Sequence, residues 1–134
     1  MKWTFSTWIW LALLLPLTLV ASASVAPSFP ELTGRVVDRA SLLPRDVETR
    51  LEAILKKHED MTSNQVVVVT IHSLEGRTIE EYGYQLGRHW GIGQADKDNG
   101  VLLIIAKNDR KMRIEVGYGL EGSLTDAIAS NIIQ

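Results

Sequence analysis

Residues Gln65–Ile71 read QVVVVTI, and every position after the glutamine is β-branched. No helical period survives in such a run. A strand without a polar face is buried on both sides, as in parallel or mixed sheets covered by helices. A second run of this kind, GVLLIIA, occupies 100–106. Between the two, Thr78-Ile79-Glu80-Glu81 forms a capping box. It opens a helix that runs to about Trp90, with Ile79, Tyr82, Leu86 and Trp90 on one face. Upstream, Pro44 stands where a first helical turn tolerates it. Val47, Leu51, Ile54 and Leu55 stripe a helix over 44–60, preceded by the short strand GRVVD at 34–38. Downstream, KNDRK makes a turn. In MRIEV, 112–116, Met112, Ile114 and Val116 alternate with Arg113 and Glu115, so this strand lies nearer the edge. Arg110, Lys111 and Arg113 form a solvated edge that discourages strand pairing. Ser123-Leu124-Thr125-Asp126 is a further capping box, opening the last helix. The order β-α-β-α-β-β-α predicts an α/β protein, a three-layer α/β/α sandwich on a mixed sheet of about four strands.

The ends and the composition narrow the setting. Met1-Lys2 precedes an apolar run from Trp8 to Val20, broken by Pro16 and Thr18. That is short for a bilayer span of ~20 residues. With Ala21-Ser22-Ala23 behind it, the run reads as a secretory signal peptide of residues 1–23. An uncleaved N-terminal anchor is the alternative. Residues 24–33, SVAPSFPELT, form an extended lead-in, and 34–134 form one domain. The protein is therefore expected to be exported, to the periplasm or another extracytoplasmic space. Absence of cysteine excludes disulfides, thiol nucleophiles and thiolate metal sites. A net charge of −2 gives no basic stripe for nucleic acid. The closing stretch SLTDAIASNIIQ has helical spacing and no stop signal, so the natural protein is expected to continue beyond Gln134.

Gly117-Tyr118-Gly119-Leu120-Glu121-Gly122 is a literal G-x-G-x-x-G, but it does not read as a nucleotide site. The dinucleotide fingerprint belongs to the first strand–helix turn of a βαβ unit, with a ribose-binding acid about 20 residues later. Here it follows the fourth strand, and Glu121 would repel a pyrophosphate. No nucleotide is expected.

Topology suggests another use. The 112–116 strand is antiparallel to 100–106, so GYGLEG arrives beside GIGQADKDNG, residues 91–100. Two glycine-rich loops then meet at one end of the sheet, with Asp96, Asp98, Asn99 and Glu121, and Asp126 follows shortly after. If the first strand runs antiparallel to its neighbours, Asp38 joins them. Carboxylates, an amide and free carbonyls suit a hard cation such as calcium, which takes 6–8 oxygens. The plain alternative makes Asp98-Asn99-Gly100 a turn and Asp126 a helix-start acid.

The stretches VVDRASLLP, QVVVVTIHSLEG and IEEYGYQLGRHWGIGQADKDNGVLLIIAKNDRKMRIEVGYGLEGSLTDA resemble the TPM domain family, from about Phe29 to the end. The resemblance implies an α/β/α sandwich, exported or membrane-attached. Plant relatives are thylakoid lumen proteins linked to photosystem II repair and described as acid phosphatases. Some relatives bind calcium. The family's acidic positions fall on Asp38, Asp98, Asn99, Glu121 and Asp126. The implied role is a calcium-bearing module for the assembly or maintenance of membrane-associated protein complexes. The enzymatic alternative is weak metal-assisted hydrolysis of phosphate monoesters, with Asp38, Asp98 or Asp126 as base. Arg88-His89-Trp90 is close to an R-H-G phosphate loop but reads as the solvated rim of a helix. His58 and His72 read as surface residues. Tyr118, between two glycines, stands either over the site or in simple packing.

Overall fold

The computed structural model describes residue 21 and residues 28–93 and 96–133; the side chains of residues 126, 127 and 130 lie outside the description. The expected signal peptide therefore lies outside the described residues, apart from Ala21. The elements run β1 (Val36–Asp38), α1 (Arg45–Thr62), β2 (Gln65–Ile71), α2 (Ile79–Trp90), β3 (Gly100–Ala106), β4 (Lys111–Val116), a 3-10 turn (Tyr118–Leu120) and α3 (Asp126–Ile132). This is the order read from the sequence.

The sheet is mixed, with β1, β2, β3 and β4 side by side in that order. β2 and β3 are parallel over their full length, from Gln65 opposite Gly100 to Ile71 opposite Ala106. β4 turns back antiparallel to β3 as the outer strand. β1 is parallel to β2, with Val36 opposite Val68 and Asp38 opposite Thr70. The antiparallel arrangement that would have carried Asp38 to the Gly-rich end is thereby overturned. The reason is α1. An 18-residue helix rises about 27 Å and carries the chain back along the sheet, so β2 starts at the same end as β1.

Each helix end has a local cause. α1 starts after Pro44, which caps with no side-chain hydrogen bond, and stops at Ser63 in the left-handed region. The Ser63 N–H donates to Glu59 O at 2.8 Å. At the start of α2 the Thr78 hydroxyl accepts from Glu81 N–H at 3.1 Å, as its capping box predicts. The last helix is capped by Thr125, whose hydroxyl accepts from Ile128 N–H at 3.3 Å. The expected cap, Ser123, lies two residues too early, inside the preceding turn.

The core lies on one face of the sheet. Val67, Val69 and Ile71 alternate inward from β2, and Leu102, Ile104 and Ala106 from β3. They pack with Ile79, Tyr82 and Leu86 of α2. Residues 28–33 close the edge of this layer. Phe29 meets the Tyr82 ring edge-on at 5.2 Å, and Trp90 Nε1 donates to Pro30 O at 2.9 Å.

The opposite face holds Val36, Val68 and Thr70, all buried, where α1 lies against β1 and β2. The Glu52 carboxylate pins that helix to the strand by accepting from the N–H groups of Arg35 (3.0 Å) and Val36 (2.8 Å). The stripe read for α1 is only partly covered. Leu51 and Leu55 are half-buried, whereas Ile54 stays 59% exposed. Among the described residues no helix is long and apolar enough to cross a membrane.

Candidate functional site

The Gly-rich loops meet as the strand directions require. Gly117 N–H donates to Gly100 O at 2.8 Å, and Gly119 N–H donates to Asp98 O at 3.0 Å. The backbones press together so closely that a Cβ on Gly117 would overlap Asp98 O, and one on Gly119 would overlap Lys97 O. These glycines therefore serve close approach of two chain segments. They open no helix onto a phosphate, because the segment after Gly117 is a single 3-10 turn. Asp98 itself takes a left-handed conformation, φ 46°, which aspartate tolerates better than most residues.

Beside this junction lies a cavity of about 370 Å³. That volume is at the small end of the range for ligand pockets. Ile92, Leu102 and Val116 give it apolar surface. One wall is α2, which contributes Tyr84, Gly87 and Arg88, with its left-handed C-cap Gly91 just beyond. The first three are spaced i, i+3 and i+4, so they share one helix face. Arg88 leans back on Tyr84. Its Nη1 donates to the phenol oxygen at 2.6 Å, and its guanidinium carbon sits 5.4 Å from the ring centroid. The facing loops contribute Asp98, Tyr118 and Glu121, with Tyr118 76% exposed. Glu115 also lines the cavity, and Arg113 Nε donates to it at 2.9 Å.

Of the five acidic and amide positions read as ligands, the fold brings Asp98 and Glu121 to this cavity. Asn99 is buried, and its amide nitrogen donates to Ser63 O at 2.7 Å and Asn64 Oδ1 at 3.4 Å. It ties the end of α1 to the start of β3. Asp126 opens α3, but its side chain lies outside the described residues. Asp96 is exposed and does not line the cavity.

Asp38 stands at the far end of the sheet. Its partner Thr70 pairs with Ile105, five residues along β3 from Gly100. Five residues of strand span about 16 Å. There its carboxylate accepts from Leu42 N–H (2.9 Å), Leu43 N–H (2.8 Å) and the Thr70 hydroxyl. It holds the 39–43 loop rather than a ligand. Burial pushes this carboxyl up, but the hydrogen bonds from Thr70, Leu43 and Leu42 outweigh it and hold the group below its usual 3.8. A carboxyl depressed in the folded state stabilises the fold above its unfolded value, and that stability is lost as pH falls through the folded value. Asp38→Asn is therefore expected to lower the unfolding free energy by about 1–3 kcal/mol at pH 7. The gap from the parent protein should close as pH drops below 3.8. Urea unfolding between pH 2.5 and 7 reads this, and a gap that persists at the acid end would remove the charge from the explanation.

Among the described residues no three His, Cys, Asp or Glu side chains stand close enough to share a metal ion. Asp98 and Glu121 are two carboxylates from separate loops on the same cavity.

Tyr84 and Glu115 carry no site reading in the sequence, and Arg88 reads there as the solvated rim of a helix; all three line the cavity. The helical spacing of Tyr84 and Arg88 was a usable signal. Glu115 had a fainter one. It lies opposite Leu102 on the core side of β4, and Gly83 leaves the room. A Cβ there would sit 3.5 Å from the Glu115 carboxylate and 2.7 Å from Ile104 Cδ1.

The family model for the TPM domain matches residues 36–134. This chain belongs to the TPM domain family. The N-terminal domain of a protein from P. gingivalis, solved by NMR, is 36% identical with a TM-score of 0.69. That match covers 75% of this TPM chain and 64% of the other. The N-terminal domain of a Corynebacterium glutamicum protein is similar in fold, at 21% identity and a TM-score of 0.58, over 79% of this chain and 66% of that one. No curated protein matches the chain.

Proposed function

We propose that this TPM domain is an exported binding module that serves membrane-associated protein complexes, and that its ligand site is the cavity between α2 and the two Gly-rich loops. A divalent cation, calcium by its donor chemistry, is held at the acidic lip by Asp98 and Glu121, with Asp126 as a further candidate. The observation that carries the reading is the placement of Asp98 and Glu121, from two separate loops, on one cavity. Water-rich sites of this kind in extracellular modules bind calcium with dissociation constants on the order of 10⁻⁴–10⁻³ M.

Calcium titration followed by calorimetry and by backbone amide shifts tests this. Saturable heat is expected, with shifts at 96–100 and 117–122. Asp98→Ala should weaken binding at least about tenfold, one partner of a charged contact being worth roughly 1.5–3 kcal/mol. Absence of heat and of shifts at millimolar calcium would remove the cation from the function.

A second reading, hydrolysis of phosphate monoesters, is favoured by Arg88 on the same cavity, since a guanidinium pairs bidentately with phosphate oxygens. The cation would there supply charge neutralisation and an acidified water, and Asp98 or Asp126 would be the base. Turnover of p-nitrophenyl phosphate that requires both added metal and Asp98 is the result this reading needs.

A further inference from the structure

Glu115 stands on the core side of β4, opposite Leu102, with only 23% of its side chain exposed. A carboxylate drawn in this far needs partners. Arg113 Nε supplies one, donating to Oε2 at 2.9 Å, and Arg113 itself does not line the cavity. Among the described residues no donor meets the other oxygen, Oε1. The cavity wall thus holds a half-buried acceptor with unused capacity.

Beside it the wall is bare. Gly83 and Gly87 stand one turn apart on α2. A Cβ on Gly83 would strike Ile104, so that glycine has a packing reason, whereas a Cβ on Gly87 would meet nothing within 4 Å. Gly87 does not adopt positive φ, and a glycine inside a helix destabilises it relative to alanine. What its missing side chain leaves is open space beside apolar Ile92, Leu102 and Val116.

The charge of the lining selects what enters. Arg88, turned back on the Tyr84 phenol, faces three carboxylates, those of Glu115, Asp98 and Glu121. An anion is disfavoured. A cation is drawn in, and the lip acids need only add their field to the contact that Glu115 makes.

We propose that the cavity takes a primary ammonium on a compact apolar body, the body filling the space at Gly87 and the ammonium donating to Glu115. This rests on the reading that the cavity is the ligand site, and it requires no calcium.

The test titrates benzylamine into the protein in calcium-free buffer, with benzyl alcohol and benzoate as its neutral and anionic counterparts, followed by amide shifts. Saturable shifts are expected at Gly87, Gly91 and Gly117. Benzylamine should bind at least about tenfold more tightly than benzyl alcohol, the worth of a charge-assisted hydrogen bond. Glu115→Gln should remove that preference and leave benzyl alcohol unchanged, a split that a merely structural role would not produce. Gly87→Leu should weaken both ligands at least about tenfold. It should melt no lower than the parent, because leucine is the better helix former, so its loss of binding is not loss of fold. Asp98→Asn and Glu121→Gln should each cost benzylamine less than about fivefold, as exposed charges do. Benzoate binding as tightly as benzylamine overturns the inference and leaves the cavity standing as a ligand site. Full benzylamine binding by Glu115→Gln does the same. Absence of shifts from all three ligands overturns the inference and removes the cavity as a small-ligand site, while the calcium titration tests the lip on its own.

Discussion

Leu86→Ala is expected to lower the unfolding free energy by about 3–5 kcal/mol, the upper part of the range for leucine truncation in a core. Leu86 is fully buried (0% exposed) and stands on α2 among Val67, Val69, Leu102 and Ile104. Its removal strands the helix that also forms the cavity wall, and the glycines at 83 and 87 give that helix little side chain with which to close the gap. Single domains of this size are stable by only about 5–15 kcal/mol, so the loss is a large share of the total. Urea unfolding reads it as a shift of the midpoint at unchanged slope. A loss below about 1 kcal/mol would mean that α2 does not seat on the sheet as described.

The second large effect is expected at Gly117. Gly117→Ala places a Cβ against Asp98 O, and that carbonyl belongs to backbone and cannot swing away like a side chain. The two loops must separate, and the 2.8 Å bond from Gly117 N–H to Gly100 O at the end of the β3–β4 ladder is weakened. Overpacking of this kind costs about 1–3 kcal/mol. On the proposed function the loss should extend to calcium, because the same junction holds the loops that carry Asp98 and Glu121. Gly122→Ala is the control, since nothing lies within 4 Å of its missing Cβ; it should stay within about 0.5 kcal/mol of the parent. Equal stability and equal calcium heats for Gly117→Ala would show that the close approach does not organise the site.

Asp38 and Arg88 show where local pattern stops informing. Asp38 joins the cavity acids only on the condition that the strand read at 34–38 runs antiparallel to its neighbours. Val36–Asp38 is too short for its pattern to reveal direction, and the length of α1 decided it. Arg88 reads as helix rim because it lies at the end of a helix. It lines the cavity because α2 packs across β3 and β4, with Gly83 fitting over Ile104 and Glu115. Asn99 reads as a cation ligand on composition. Once α1 ends beside it, its amide is taken by Ser63 and Asn64.

By itself the sequence determined the elements, their order, the mixed sheet and the meeting of the two Gly-rich loops. β-branched runs, capping boxes and a tight hairpin act over a few residues and leave their mark in a few residues. Membership of the TPM family was legible for the same reason, in runs such as RKMRIEVGYGLEG. Only the tertiary structure decided which acids share a cavity. Strand direction, helix seating and backbone contact between residues 97–98 and 117–119 depend on segments distant in the chain, whose packing energies no short stretch contains.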